Sequence, residues 1–171
     1  MLRGKNLISY ILAGAVSVAL LIIDQVVKAL VNANFDLGES FVLLRGLLNF
    51  QYIHNTGGAW GMLSGYTGFL IVITVIIMAA CIIWLVTRAR QNKMLFWSAC
   101  LIISGGLGNM IDRIFRGGKV IDFLQFGFWE EFPVFNIADC AIVVGCGLLL
   151  LYFVIDTVKD YKNRKNDNGN S

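Results

Sequence analysis

Asp139 is followed by sixteen residues, Cys140 to Ile155, without a single charge. Hydrocarbon cannot solvate a carboxylate, so an acid at the mouth of such a run is costly to keep. Asn136 lies three residues earlier, on the same face if the segment is helical. Asp24 and Lys28 stand i,i+4 apart in the first apolar run, and Asn109, Asp112 and Arg113 close the third. Asp122 has Val120 and Ile121 before it and Phe123 and Leu124 after it, unusual company for a surface acid. Two carboxylates held close cannot both ionise, so they share a proton. The ionised member takes a proton from water as that water attacks a carbonyl. The protonated member polarises the carbonyl and later protonates the leaving amine. Such a pair hydrolyses a peptide bond without a metal. Other hydrolytic chemistries lack their parts. There is one histidine, His54, and no HExxH, so ligands for a zinc hydrolase are missing. No GxSxG elbow occurs, and nothing in the spacing supports a Ser64–Lys28 pair. Residue types alone leave open which two of the four acids pair.

The elements that must position these groups are membrane spans. The chain has 171 residues, of which 57% are hydrophobic and 15% charged, and its mean hydropathy is +0.72. A soluble domain is about 45–50% apolar and about 25% charged. An all-α integral membrane protein is therefore expected, a single domain over residues 1–171. Four stretches approach the roughly 20 residues that a helix needs to cross a bilayer, at about 7–31, 69–87, 94–112 and 136–156. The N-terminal run is too long for the core of a cleaved leader, which is about 7–15 residues, and reads as a retained span. Arg3, Lys5, Arg88, Arg90, Lys93, Lys159, Lys162, Arg164 and Lys165 fall on one side of such a bundle. That side, with both termini, is expected to be cytoplasmic. The net charge of +3 is thus a topology signal rather than a nucleic-acid footprint.

Counting about 1.5 Å per residue puts Asp24 about 26 Å along the first span and Asp112 about 27 Å along the third. With Lys28, Asn109, Arg113, Asp122, Asn136 and Asp139 they form one polar layer at the outer end. A proton-coupled transporter would spread its polar groups through the membrane thickness and show a repeat; this chain has neither feature. A purely structural scaffold would leave four costly acids unexplained. Between about 35 and 65 the pattern changes to short strand-forming runs broken by Gly38 and Gly46, which predicts a small sheet on the outer surface. That sheet leads into His54-Asn55-Thr56-Gly57-Gly58-Ala59-Trp60-Gly61, where glycine permits tight turns. The tail after Asp156 reads as solvated and frayed. The four cysteines, Cys81, Cys100, Cys140 and Cys146, all lie in predicted spans and read as small buried apolar residues.

Five blocks in this order resemble bacterial lipoprotein signal peptidase, also called signal peptidase II. They are Asp24-Gln25-Val26-Val27-Lys28, Asn55-Thr56-Gly57-Gly58-Ala59-Trp60-Gly61, Gly105-Gly106-Leu107-Gly108-Asn109-Met110-Ile111-Asp112-Arg113, Val120-Ile121-Asp122-Phe123 and Phe135-Asn136-Ile137-Ala138-Asp139. The resemblance implies four spans, a small extracytoplasmic β-cradle and a short outer amphipathic helix. It implies an aspartic endopeptidase that removes the signal peptide from diacylglyceryl-modified prolipoproteins, cutting N-terminal to the lipidated cysteine. By the family pattern the catalytic pair falls on Asp122 and Asp139. Asn55, Asn109, Arg113, Asn136 and Ala138 match positions that line the site or hold substrate. Asp24 and Lys28 match a pair that supports fold and site, and Asp112 is expected to play a structural role beside Arg113. No metal or other cofactor is implied. The expected partners are lipid-modified prolipoproteins and membrane lipid, with no nucleic acid, and the chain is expected to act as a monomer. Two residues depart from the family's usual pattern: Gly58 stands where alanine is usual, and Cys140 where serine is.

Overall fold

The computed structural model describes residues 3–87 and 92–169. Four helices dominate: α1 (Arg3–Asn34), α2 (Thr67–Thr87), α3 (Lys93–Phe115) and α4 (Ile137–Gly169). All four are long and apolar enough to cross a membrane. Arg88 and Arg90, two of the basic residues read as cytoplasmic, lie outside the described residues.

α3 is the hub. Half of its apolar window is buried, against 17%, 6% and 17% for the other three. Small residues explain why α4 can lie so close to it. A Cβ on Gly105 would collide with the backbone carbonyl of Ala138, and one on Gly108 would sit 3.0 Å from the Ala138 methyl. From the other side, a Cβ on Gly145 would stand 2.8 Å from Ile102 and 3.0 Å from the Ser98 carbonyl oxygen. In lipid no hydrophobic force pulls helices together, so close backbone approach and interhelical hydrogen bonds must do it. Ser98 donates to Gly145 O across α3 and α4, and Ser104 donates to Ser17 O across α3 and α1. Outward faces are apolar and exposed, as at Ile8, Val72, Val143 and Val154. In a membrane those faces meet acyl chains, which cost them nothing.

At one end the chain builds an antiparallel sheet in the order β1 (Ser40–Leu44), β2 (Leu48–Asn55), β3 (Val120–Phe126). β3 lies outside the 35–65 region where the sheet was expected. Its sequence, Val-Ile-Asp-Phe-Leu-Gln-Phe, hides the strand because its first four residues are buried on both faces and so do not alternate. β2 and β3 pair Ile53 with Asp122 and Asn55 with Val120, after a register shift between Phe50 and Ile53. Val31, Phe50, Tyr52, Ile121 and Phe123 form a buried cluster that ties the end of α1 to the sheet. On the far edge Phe135 pairs with Leu124, its N–H donating to Leu124 O at 2.8 Å. This bridge fixes where α4 begins.

Three expectations are corrected. The short outer helix corresponds, among the described residues, to a 3-10 turn of three residues, Ala59–Gly61, too short to present an amphipathic face. The polar tail continues α4 as far as Gly169; Lys159, Lys162, Arg164 and Lys165 in it are good helix formers. Of the four free cysteines, Cys140 and Cys146 are exposed on α4 rather than buried, and Cys81 and Cys100 are half-buried.

Candidate active site

Local capping at the start of α4 sets the first acid. Asn136 Oδ1 accepts from Asp139 N at 3.0 Å, and Asp139 Oδ2 accepts from Asn136 N at 3.1 Å. That is a capping box, in which two otherwise unpaired N–H groups satisfy each other's side chains. The Asn-x-x-Asp spacing in the sequence therefore holds one oxygen of the Asp139 carboxylate by local contacts alone. Its remaining oxygen, Oδ1, accepts from Asn109 Nδ2 at 2.7 Å, which links α4 to α3.

The second acid arrives on β3. Asp122 is 1% exposed. Its Oδ2 accepts from Asn55 Nδ2 at 2.7 Å, and its Oδ1 from Asn136 Nδ2 at 2.6 Å. Asn55 is itself held by Gly57 N, which donates to its Oδ1 at 2.9 Å. The loop is tight there: a Cβ on Gly57 would stand 2.5 Å from Ser64 N. Asn136 thus binds both carboxylates, Asp122 through its side-chain Nδ2 and Asp139 through its backbone N–H, while its Oδ1 accepts from the Asp139 backbone N–H. Burial, then the neighbouring Asp139 charge, push the Asp122 carboxyl up to about 7, against the lowering effect of its hydrogen bonds from Asn55 and Asn136.

Beneath this pair lies a buried ionic cluster. Lys28, 0% exposed, bridges Asp24 Oδ2 at 2.9 Å and Asp112 Oδ2 at 3.1 Å. It also donates to Asn109 Oδ1 at 3.1 Å. Asp24 Oδ1 accepts from Ala138 N at 2.9 Å, an anion set at the N-terminus of α4 where the helix dipole favours it. Asp112 Oδ2 also accepts from Ile121 N, which fixes the start of β3, and its Oδ1 pairs with Arg116 at 3.2 Å. Asp112 is therefore not the partner of Arg113. On a helix neighbouring residues diverge, whereas residues four apart share a face, so Asp112 meets Arg116 instead.

Asn55, Asn109, Arg113, Asp122 and Asp139 line one cavity of about 230 Å³, closed on its other walls by Trp60, Phe135 and Ile142 among others. Asp24, Lys28, Asp112, Asn136 and Ala138 do not line it. They hold the lining residues from behind. Ala138, 2% exposed, contributes its backbone N–H and a methyl small enough for the α3 glycines. Ser64 and Lys28 hold other partners, Ser64 through Thr56 and Lys28 in its ion pairs. His54 stays outside the cavity, bonded to the Tyr52 hydroxyl at 2.8 Å while that hydroxyl donates to Asn32. Among the described residues no cluster of three metal-ligating side chains occurs.

Two contributors carried no assigned role in the sequence reading. Gln25 donates to Gly108 O at 3.0 Å and lies within 3.3 Å of both Asp24 and Asp112. Arg116 neutralises Asp112. Signals for both existed: a lone amide between Asp24 and Lys28, and the i,i+4 spacing of Asp112 and Arg116.

Residues 16–155 match the family described as signal peptidase (SPase) II. A lipoprotein signal peptidase from Staphylococcus haemolyticus (strain JCSC1435) is 35% identical over 151 residues, covering 88% of this chain and 92% of that protein. One from Staphylococcus aureus (strain JH9) is 36% identical over 151 residues, covering 88% of this chain and 90% of that protein. Among solved structures, a bacterial membrane enzyme determined by the in meso method at 2.3 Å superposes with a TM-score of 0.79 at 35% identity, covering 86% of this chain and 88% of that one. A second, determined at 1.9 Å, gives 0.74 at 34% identity, covering 84% and 91%.

Proposed function

The chain belongs to the signal peptidase II family, membrane proteases that remove signal peptides from prolipoproteins, and on that premise we propose that Asp122 and Asp139 are its catalytic pair. The observation that carries the reading is Asn136. One side chain and its own backbone bind both carboxylates at the wall of one cavity. Positioning of this kind lets two acids act on one scissile bond.

In the proposed reaction the pair shares one proton. Asp122, raised toward neutrality, suits the member that holds it. Asp139 accepts a proton from a water that adds to the scissile carbonyl. Asp122 donates its proton to the carbonyl oxygen, giving a neutral gem-diol. Collapse breaks the C–N bond: the proton gained by Asp139 passes to the leaving nitrogen, and one gem-diol hydroxyl returns its proton to Asp122 as the carboxyl forms, so the pair again holds one proton. The products are the carboxyl-terminated signal peptide and the free amino group of the lipidated cysteine. A cut N-terminal to a diacylglyceryl-cysteine suits a site at the end of the bundle. Acyl chains hold that residue at membrane level, and the cavity lies beside apolar, exposed Val143. We further propose cytoplasmic termini and a site near the outer face, on the strength of the basic residues at the opposite end.

The test mixes the purified protein with a lipidated precursor and with its unlipidated twin. Cleavage of the lipidated form alone, unaffected by EDTA, is the expected result. Activity lost on chelation and restored by zinc would move the protein to another reaction class.

A further inference from the structure

α3 ends at Phe115 after 23 residues, or about 34 Å of helix. The hydrocarbon core of a bilayer is about 30 Å thick, so the residues that follow, Arg116 to Lys119, stand at headgroup level. Ile114 and Phe115, 52% and 79% exposed, face the acyl chains beside them. Two cations at this level have donors to spare. Arg116 spends only its Nε, on Asp112 Oδ1 at 3.2 Å, and its side chain is 28% exposed. Lys119 is exposed, and among the described residues its ammonium has no hydrogen bond or ion pair. The acids of the neighbouring cluster are already matched. Asp24 and Asp112 stand against Lys28 and Arg116, two negative charges against two positive, so Lys119 is the charge in excess. We propose that Arg116 and Lys119 hold the phosphate of an anionic phospholipid in the leaflet at the sheet end of the bundle.

The two cations lie on one face. His54 pairs across the sheet with Ile121, two residues after Lys119. Burial first, then Lys119 and then Arg116, hold its imidazole below the usual range, so both charges reach the same ring. His54 is tied off through the Tyr52 hydroxyl to Asn32 at the end of α1, and as a neutral group it leaves the charge of the patch unchanged. A guanidinium edge and a phosphate match two N–H groups to two oxygens, and an ammonium adds a point charge. Phosphatidylglycerol offers that phosphate with nothing to cancel it, whereas phosphatidylcholine carries its own cation. Each basic residue beside an anionic lipid surface is worth about a factor of five in affinity. The patch is also wired to the fold. Arg116 holds Asp112, and Asp112 Oδ2 accepts from Ile121 N at 3.2 Å. Arg116 therefore links the headgroup layer to the start of β3, the strand that carries Asp122. The contact needs no substrate, so it stands or falls apart from the proteolytic reading.

Native mass spectrometry of the full chain released from lipid nanodiscs tests this. The discs hold phosphatidylglycerol and phosphatidylcholine in equal amounts, with no substrate. The wild type should retain a phosphatidylglycerol in preference to phosphatidylcholine. Lys119→Gln should weaken that retention by about fivefold. Arg45→Gln removes an exposed cation from the turn between β1 and β2, at the same end of the bundle, and should leave retention unchanged. Equal retention of the two lipids by the wild type overturns the proposal. Equal losses from the two variants overturn it as well, since the attraction would then belong to the whole surface. Inorganic phosphate added to discs of phosphatidylcholine alone should give no adduct that depends on Lys119. Such an adduct would assign the site to a free anion and overturn the lipid as its ligand.

Discussion

Asparagine in place of aspartate keeps size and most hydrogen bonding but removes the titrating proton. Asp122→Asn and Asp139→Asn should each lower cleavage by at least about a thousandfold if the acids act as one unit. Both variants should still accumulate in the membrane and bind lipidated precursor; near-normal turnover by either would exclude it from the pair. Asp24→Asn belongs to a different class. Removing one partner of a buried ion pair costs about 3–5 kcal/mol, part of which Asp112 retains here through its own contact with Lys28. The loss should appear as less folded protein rather than as lower turnover per folded molecule, measured by size-exclusion yield and thermal unfolding. The raised Asp122 carboxyl gives a pH signature. Between pH 3.8 and about 7 the native state holds a proton that the unfolded chain releases, so stability falls as pH rises through that window. Asp122→Asn should therefore melt above the wild type at pH 8, with the gap closing toward pH 4. Turnover should decline as the pair loses its shared proton above about pH 7. A melting gap that widens toward acid would contradict the assignment.

The element that decides the site is the α3–α4 seam. Gly105, Gly108 and Gly145 bring the two backbones together, and that approach places the capped start of α4 against Asn109. Gly105→Leu should be severely destabilising, because its Cβ would meet the Ala138 carbonyl and Ile142 rather than the end of a flexible side chain. Overpacking that side chains can absorb already costs about 1–3 kcal/mol, and a backbone clash costs more. Gly147 is the control: nothing lies within 4 Å of a Cβ there, and alanine favours a helix over glycine by roughly 0.5–1 kcal/mol. Melting curves in detergent should show Gly105→Leu well below the wild type and Gly147→Ala at or above it. An equal response from both would show that the seam does not control stability.

At the scale of the whole molecule, the links after α1 and α3 converge in one sheet at one end of the bundle, and the basic residues between 159 and 165 lie toward the other end of α4. In a background without native cysteines, Ser40→Cys and Lys119→Cys should react with a membrane-impermeant thiol reagent applied to intact cells. Lys93→Cys should react only after lysis. Labelling of position 93 from outside would invert the proposed orientation.

Apolar runs alone determined the four spans, because a bilayer tests each helix separately by length and hydropathy. Local spacing alone determined the Asn136–Asp139 capping box, since its hydrogen bonds join residues three apart. The common level of Asp24 and Asp112 followed from helix rise. Only the tertiary structure decided the rest, because the contacts join residues far apart in the chain. β3 is a strand because β2 and Phe135 supply partners on its two edges, not because its sequence alternates. Asp112 serves Lys28 and Arg116 rather than Arg113 because side-chain direction on a helix overrides adjacency. The meeting of Asp122 with Asn136 depends on where α3 turns into β3, which no local pattern encodes. The sequence by itself determined which groups are costly and at what depth they lie; the packing of α3, α4 and β3 decided which of them touch.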